Sequence, residues 1–450
     1  MEGNERRFFY GWIVVAIGFV TMALAYGVRY MYPVFFVALE EQFGWTRTQT
    51  YGSFSLKMSI YAFTAPLAGA LFDRFGPRKV FPIAALVVAL GLIGCSQITE
   101  LWHLYLFGGV LVPMGMVSMG VAPHNALLSN WFVKNRGLII GLSTSGLGIG
   151  MLALSPFAQW LISTTGFRWA YGILGIGIFL IVAPPTALFQ RHRPEDVGCL
   201  PDGEVLDPSG IETQNEPKLD MVVDRAWAET EWTVGKALHT GRFWTFFVTK
   251  FMLLIGIYGV MMHQMAYAVG LGFSKMTAAT AFGLTGFLGA AAKILWGSVG
   301  DRIGREPTYS IIMFLASVAI LLLLSLRDSS QVWLLYMAAI LYGLGYGAIV
   351  AILAPVAADI FQGKSLGAIY GFSLIASGVG GAIGPLFSAY VYDVTGSYTW
   401  AFLVALVALN VSSALMWFVA PRKVRLVVGR ARARARARES ALTKMGEEKA

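Results

Sequence analysis

The sequence predicts an all-α membrane protein of twelve transmembrane helices, built as two parallel six-helix repeats. Composition, the number of apolar segments and an internal repeat predict it. Of 450 residues, 56% are hydrophobic and 13% charged, with 51 glycines, and the mean hydropathy is +0.64, values that ordinary soluble domains do not show. Stretches able to cross about 30 Å of hydrocarbon run from Trp12 to Phe36, Gly52 to Phe72, Val80 to Ile98, Leu104 to Asn130, Gly137 to Ile162 and Trp169 to Leu188. After a polar interval come Phe243 to Val269, Ala278 to Val299, Thr308 to Leu326, Trp333 to Ala358, Leu366 to Val391 and Trp400 to Phe418. The first run is full length and leads into a second, so it reads as a retained helix rather than a cleaved signal.

The repeat has a period near half the chain. GALFDRFGPRK from Gly69 is echoed by GSVGDRIGR from Gly297, placing Asp73 and Asp301 in equivalent positions. Lys134 and Lys364, Gly137 and Gly367, Gly141 and Gly371, and Ser143 and Ser373 pair in the same way, as do TGFRWAY at Thr165 and TGSYTWAF at Thr395. Six helices per copy is an even number, so both copies share one orientation, and a substrate site is expected near the midplane where they meet. The expected domains are a bundle over 1–190, a cytoplasmic linker over 191–242, a second bundle over 243–420 and a basic tail over 421–450. Prolines, glycines and charges mark the linker as solvated around an amphipathic piece near Trp227 to Leu238. The string RARARARARE from Arg430 marks the tail as low-complexity and disordered, able to rest on anionic lipid.

Positive charge sets the expected orientation. Arg47, Arg168, Lys275 and Arg327 lie on one set of loops, and Arg29, Lys57, Lys250 and Lys293 lie within apolar segments; the other 26 of 34 lysines and arginines fall on the side of the two termini. Both termini are therefore expected in the cytoplasm, with the protein in the cytoplasmic (plasma) membrane. The formal charge of +9 then belongs to loops and tail rather than to a nucleic-acid surface. Cys95 and Cys199 are far apart in sequence and expected depth, so no disulfide, metal site or cofactor is expected. No nucleophile and base pair suggests an enzyme, and a monomer suffices for the expected fold.

Lys293, in FLGAAAKILWGSVGDRIGR, is the cation that most needs explaining. A charge near the bilayer centre costs roughly 2.5–3.5 kcal/mol on insertion scales and usually faces a bundle interior or wet cavity. Aspartates and glutamates occur only at segment ends, so a pocket among these helices is net positive and suits an anion. Arg29, in AYGVRYMYPVFF, is a second candidate. His124 and Asn125 follow Pro123, where a proline frees backbone polar groups and a histidine can titrate. His263 is placed near the outer end, in a pocket or gate. Tyr346, Phe372 and Ser377 lie at pocket depth. Lys57 and Lys250, each near a surface, are expected to snorkel. The glycine strings at Gly146 to Gly150 and Gly378 to Gly384 read as close-packing surfaces.

GALFDRFGPRK and its second copy resemble the signature loop of the major facilitator superfamily, a class of transporters. That resemblance implies that Asp73, Arg74, Asp301 and Arg302 are gate residues. WFVKNRGLIIGLSTSGLGIG from Trp131, with YGW at Tyr10 and the eighth segment, is similar to the monocarboxylate porter branch and the related oxalate/formate exchangers. In that branch the eighth helix carries a carboxylate-binding cation, with an acid one turn earlier for proton coupling. By resemblance Lys293 takes the cation's place and Gly289 the acid's, while the eleventh segment lacks the exchangers' second cation. The implied function is secondary transport of small monocarboxylates such as lactate or pyruvate by alternating access, coupled to a proton. Anion exchange, or export of amphipathic compounds, stands as the alternative.

Overall fold

The structure, a computed structural model, describes residues 9–132, 136–203, 221–347, 349–363 and 365–434. Ten of its helices are long and apolar enough to cross a membrane. One of them, Leu138–Phe189, breaks at Gly166, whose φ of 81° is not helical, and so accounts for two of the expected segments. A further helix, Arg47–Phe75, covers the second segment, so all twelve are found.

In chain order these are α1 (Gly11–Phe43), α2 (Arg47–Phe75), α3 (Pro77–Ser96), α4 (Leu101–Trp131), α5 (136–165) and α6 (167–189). The second set is α7 (Gly241–Gly270), α8 (Lys275–Ile303), α9 (Arg305–Ser325), α10 (Val332–Ile360), α11 (Leu366–Thr395) and α12 (Thr399–Val419). Between α2 and α3 the chain turns at Gly76 with φ of 72°, and between α8 and α9 at Gly304 with φ of 110°. These are the glycines of the two repeated strings, and a Cβ at either would be strained in this region of backbone space.

Small residues let the backbones meet. A Cβ on Gly146 would come within 2.6 Å of the Phe19 carbonyl oxygen, and one on Gly150 within 1.9 Å of that of Ala23. In the second half, a Cβ on Gly380 or Gly384 would come within 2.6 Å of the carbonyl oxygens of Phe251 and Ile255. Both glycine strings are therefore packing surfaces, α5 on α1 and α11 on α7. The halves meet along α5 and α8, where Gly148 faces Gly286 and Ala290, and Gly283 lies against Leu152.

Three expectations change. Lys57 and Lys250 do not snorkel: they are 4% and 1% exposed, because α2 and α7 are packed inside their bundles at those depths. The ammonium of Lys250 donates to Ser373 Oγ at 2.9 Å and lies 4.4 Å from the Tyr370 ring centroid. The tail is folded over 421–434: Val222 and Arg425 form an antiparallel bridge, Glu306 accepts the Arg422 N–H at 3.1 Å, and Arg430 Nε donates to the Ile303 carbonyl at 2.9 Å. Peptide and guanidinium groups that find acceptors there no longer need water. Residues 435–450, together with Lys134 and Lys364 of the repeat, lie outside the described residues. The amphipathic piece of the linker docks as well, with Trp227 Nε1 donating to the Ile360 carbonyl at 2.9 Å.

Candidate anion site between the halves

Arg29 sits at the centre of the site. Its guanidinium donates from Nη2 to Tyr258 Oη on α7 at 2.9 Å and to Met58 Sδ on α2 at 3.1 Å. The ring centroids of Tyr61, Tyr258, Tyr26 and Tyr30 lie 5.4, 5.7, 6.0 and 6.0 Å from its central carbon. Tyr26 and Tyr61 share a hydrogen bond at 3.3 Å, and the hydroxyls of Tyr30 and Tyr346 are hydrogen-bonded across the halves. Nε of Arg29 is buried with no partner, and among the described residues the guanidinium has no carboxylate. A guanidinium offers five N–H donors in a planar fork. Here a phenol and a thioether take up only part of that capacity, leaving net positive charge inside an aromatic cage.

Lys293 is half-buried and, among the described residues, forms no hydrogen bond or ion pair. It lies seven residues on from Gly286 and three from Ala290, which is the α8 face turned toward α5. Gly289, one turn earlier, explains its own lack of a side chain. A Cβ there would come within 3.3 Å of Gly347 Cα and Tyr346 Cδ1, and 3.5 Å of the Gly343 carbonyl oxygen. Helix α10 occupies the space that an acid would need. Tyr346 thus links Gly289 to Tyr30, which neighbours Arg29 in sequence.

The remaining candidates separate from this cage. His124 is fully buried within the first half: Nδ1 bonds the Gly120 carbonyl at 3.0 Å, its ring stacks on Phe81 at 4.5 Å, and its Nε2 is unpaired. The contacts of His124 keep it inside its own bundle, away from the interface. Asn125 Oδ1 is buried without a partner beside it. Phe372 packs on Phe243 with centroids 6.0 Å apart, at the far end of α11 from the outer closure. Ser377 is half-buried, next to Gly378, whose added Cβ would lie 3.6 Å from Ala62.

His263 is neither wet nor in the cage. It is fully buried, with Nε2 bonded to the Pro385 carbonyl and Nδ1 to Tyr398 Oη, each at 2.8 Å. The carbonyl only accepts, so Nε2 carries the proton and Tyr398 donates to Nδ1. Burial holds the Tyr398 phenol above its ordinary pKa, which keeps that proton in place. Arg47 Nη1 donates to the same hydroxyl at 2.6 Å and Arg47 Nε to Glu40 at 2.9 Å. Asp393, at the end of α11, accepts the backbone N–H groups of Arg47 at 3.0 Å and Thr48 at 2.7 Å, capping α2 from the opposite half. Tyr51 donates to the Met262 carbonyl, Ser55 to that of Ala382 at 2.7 Å, and Lys275 pairs with Glu41 at 2.5 Å.

These links close one end of the interface. At the opposite end Asp73 and Arg74 are exposed, and among the described residues no side-chain hydrogen bond joins the halves there. Asp301 pairs with Arg305 at 2.8 Å, and Arg305 with Asp359 at 3.2 Å, all within the second half.

The family model described as Major Facilitator Superfamily matches residues 18–297 and 281–446. The chain belongs to the major facilitator superfamily. Its membership makes it a membrane transporter rather than an enzyme. Among curated relatives, Monocarboxylate transporter 13 of Rattus norvegicus is 28% identical over 400 residues, covering 88% of this chain and 86% of that protein. Monocarboxylate transporter 2 of Mus musculus is 23% identical over 410 residues, covering 88% and 81%. The solved structure of a bacterial homolog to the human lysosomal transporter Spinster, in an inward-facing and occupied conformation, superposes with a TM-score of 0.67 at 15% identity. It covers 91% of this chain and 97% of its own, a likeness of fold. Arg29 lies at the interface between the halves, bonded to Tyr258 of the second half.

The cage residues Tyr26, Tyr61 and Tyr258 are not among the sequence candidates. The string AYGVRYMY advertises tyrosines around Arg29, but Tyr61 and Tyr258 come from α2 and α7, and nothing in the one-dimensional pattern says that these helices converge.

Proposed function

We propose that this facilitator moves small monocarboxylates across the membrane by alternating access, with Arg29 as the group that binds the carboxylate. The observation that carries this is the guanidinium held inside the interface with unused N–H groups and no carboxylate of its own. A substrate carboxylate supplies the missing charge, and a planar fork accepts it through paired hydrogen bonds. Lys293, one turn beyond Gly289 on α8, adds a second positive charge that draws the anion inward. The closed end, braced by Arg47 and Asp393, and the open end at Asp73 and Asp301 fit one state of an alternating cycle in which both termini face the cytoplasm. Asp73, Arg74, Asp301 and Arg302 brace that second end when it closes. Proton coupling is part of the proposal; among the described residues the cage holds no carboxylic acid, so the proton would rest on a basic side chain, with Lys293 taking it up as the carboxylate binds and releasing it with the carboxylate on the other side.

Proteoliposomes given an inward gradient of lactate, pyruvate or a larger monocarboxylate test this. Saturable, protein-dependent uptake with internal acidification is the expected result. Exchange of labelled acid without acidification would replace symport by antiport, and the absence of either signal would overturn the substrate class. Lys293 provides a finer test. Lys293→Gln removes the charge and keeps an unbranched polar side chain. The apparent KM for carboxylate is expected to rise about tenfold, from a loss of roughly 1.4 kcal/mol of attraction; an unchanged KM would remove Lys293 from the binding site.

A further inference from the structure

A second cation lies in the first half, beside the anion cage but not part of it. Lys57 is 4% exposed and, among the described residues, forms no hydrogen bond or ion pair; its ammonium lies 5.9 Å from the Tyr32 ring centroid. It lines a cavity inside the bundle together with Val28, Met31, Tyr32, Cys95 and Tyr171, among other apolar side chains. No aspartate or glutamate lines that cavity.

The polar groups around the space are unequal in what they offer. Tyr32 Oη is already occupied by the Thr50 carbonyl at 2.7 Å and Ser53 Oγ at 2.9 Å. The Tyr171 hydroxyl and the Cys95 thiol have no hydrogen-bond partner among the described residues, and both side chains are buried, at 5% and 1% exposure. An ammonium, a phenol and a thiol therefore border one cavity with donors to spare and no charged acceptor. An uncompensated ammonium in apolar surroundings is costly and is relieved either by losing its proton or by taking a counter-ion, so the ligand that holds Lys57 charged in this cavity is an anion. Size narrows the class. The cavity volume is about 20 Å³, above the roughly 10–15 Å³ that holds one water and matched to a small anion.

We propose that this cavity is a binding site for a monatomic anion, a halide such as chloride, held by Lys57 with Tyr171 and Cys95 as supporting donors. The site is separate from the Arg29 cage and does not depend on which organic anion the cage takes. Its position couples the two, because Met58, the next residue on α2, accepts the Arg29 N–H at 3.1 Å. A resident halide offsets the charge of Lys57 beside Arg29 and so sets the field that an incoming carboxylate meets.

The test is the melting temperature of the full-length purified protein in chloride, in bromide and in gluconate at equal ionic strength, gluconate being too large to enter. A ligand that binds only the folded state raises stability by mass action, so a saturable upward shift in chloride and bromide over gluconate is expected. The shift should persist in Arg29→Gln, vanish in Lys57→Met and need more halide in Tyr171→Phe. Lys57→Met replaces an unpaired buried charge by an apolar chain of similar length, a change that core packing tolerates. A melting temperature that ignores halide in the unaltered protein would overturn the proposal, as would a shift of equal size in Lys57→Met. As a second readout, crystals grown in bromide should show an anomalous peak within hydrogen-bond distance of Lys57 Nζ; a peak only beside Arg29 or Lys293 would also overturn it.

Discussion

Arg29→Gln is expected to reduce carboxylate transport at least about 100-fold, the consequence of losing roughly 3 kcal/mol of charge-assisted binding in a low-dielectric site. Glutamine keeps a polar head able to donate to Tyr258, which now receives an N–H at 2.9 Å, so the two halves should still meet and the protein should still insert. What disappears is the one full charge that the described residues place inside the tyrosine cage. Arg29→Lys separates charge from geometry. Lysine retains the charge but not the two-pronged fork, so it should retain part of the activity with a raised KM. Uptake measured in proteoliposomes at matched protein density decides the matter. Wild-type rates in Arg29→Gln would show that the anion binds elsewhere, with Lys293 as the remaining candidate.

The second large effect is expected at the closed end. Asp393→Ala removes a carboxylate that accepts two backbone N–H groups at the start of α2, at 3.0 and 2.7 Å, and leaves those donors to water or to nothing. Hydrogen bonds to a charged group contribute about 1.5–3 kcal/mol each in favourable settings, and this pair spans the halves. The closed end should therefore open more often, shifting the conformational equilibrium by at least about tenfold. A cysteine introduced at Met58, buried beside Arg29 at the interface, in a background lacking Cys95 and Cys199, reports this through its labelling by an impermeant maleimide from the side of Arg47. Faster labelling in Asp393→Ala is the expected outcome, and a rate equal to that of the parent would show that Asp393 caps α2 without holding the gate. Tyr398→Phe should have a smaller effect of the same sign, because it removes the hydroxyl shared by Arg47 and His263.

Helix number and the division into two repeats were legible in the sequence, because hydrophobic length and repeated motifs are local properties. Arg29 and Lys293 were legible for a related reason: a charge in an apolar run is conspicuous wherever the run folds. His263 was not, since a histidine near a segment end reads equally as wet or buried until Tyr398 and the Pro385 carbonyl are seen to use both ring nitrogens. Lys57 and Lys250 misled for a similar reason. Their distance from a segment end suggested an escape to water, but the neighbouring helices close over them, which only packing reveals. The tail misled by composition: alternating arginine and alanine looks disordered, although the residues preceding most of that string find acceptors on Glu306 and the Ile303 carbonyl.

The contact of Gly148 with Gly286 and Ala290, and of Gly283 with Leu152, acts as a fulcrum that is off-centre on its lever. Helix α8 runs from Lys275 to Ile303, so the fulcrum at 283–290 leaves arms of about 12 Å and about 20 Å at 1.5 Å per residue. A rotation of about 15° about it would carry the short end through roughly 3 Å and the long end through roughly 5 Å. The short arm ends at Lys275, whose ion pair with Glu41 is severed by a small displacement. The long arm ends at Asp301 and the folded tail, where the same turn produces a wider mouth. In the proposed alternating cycle, one rigid rotation would thus give a tight valve at one face and a broad door at the other.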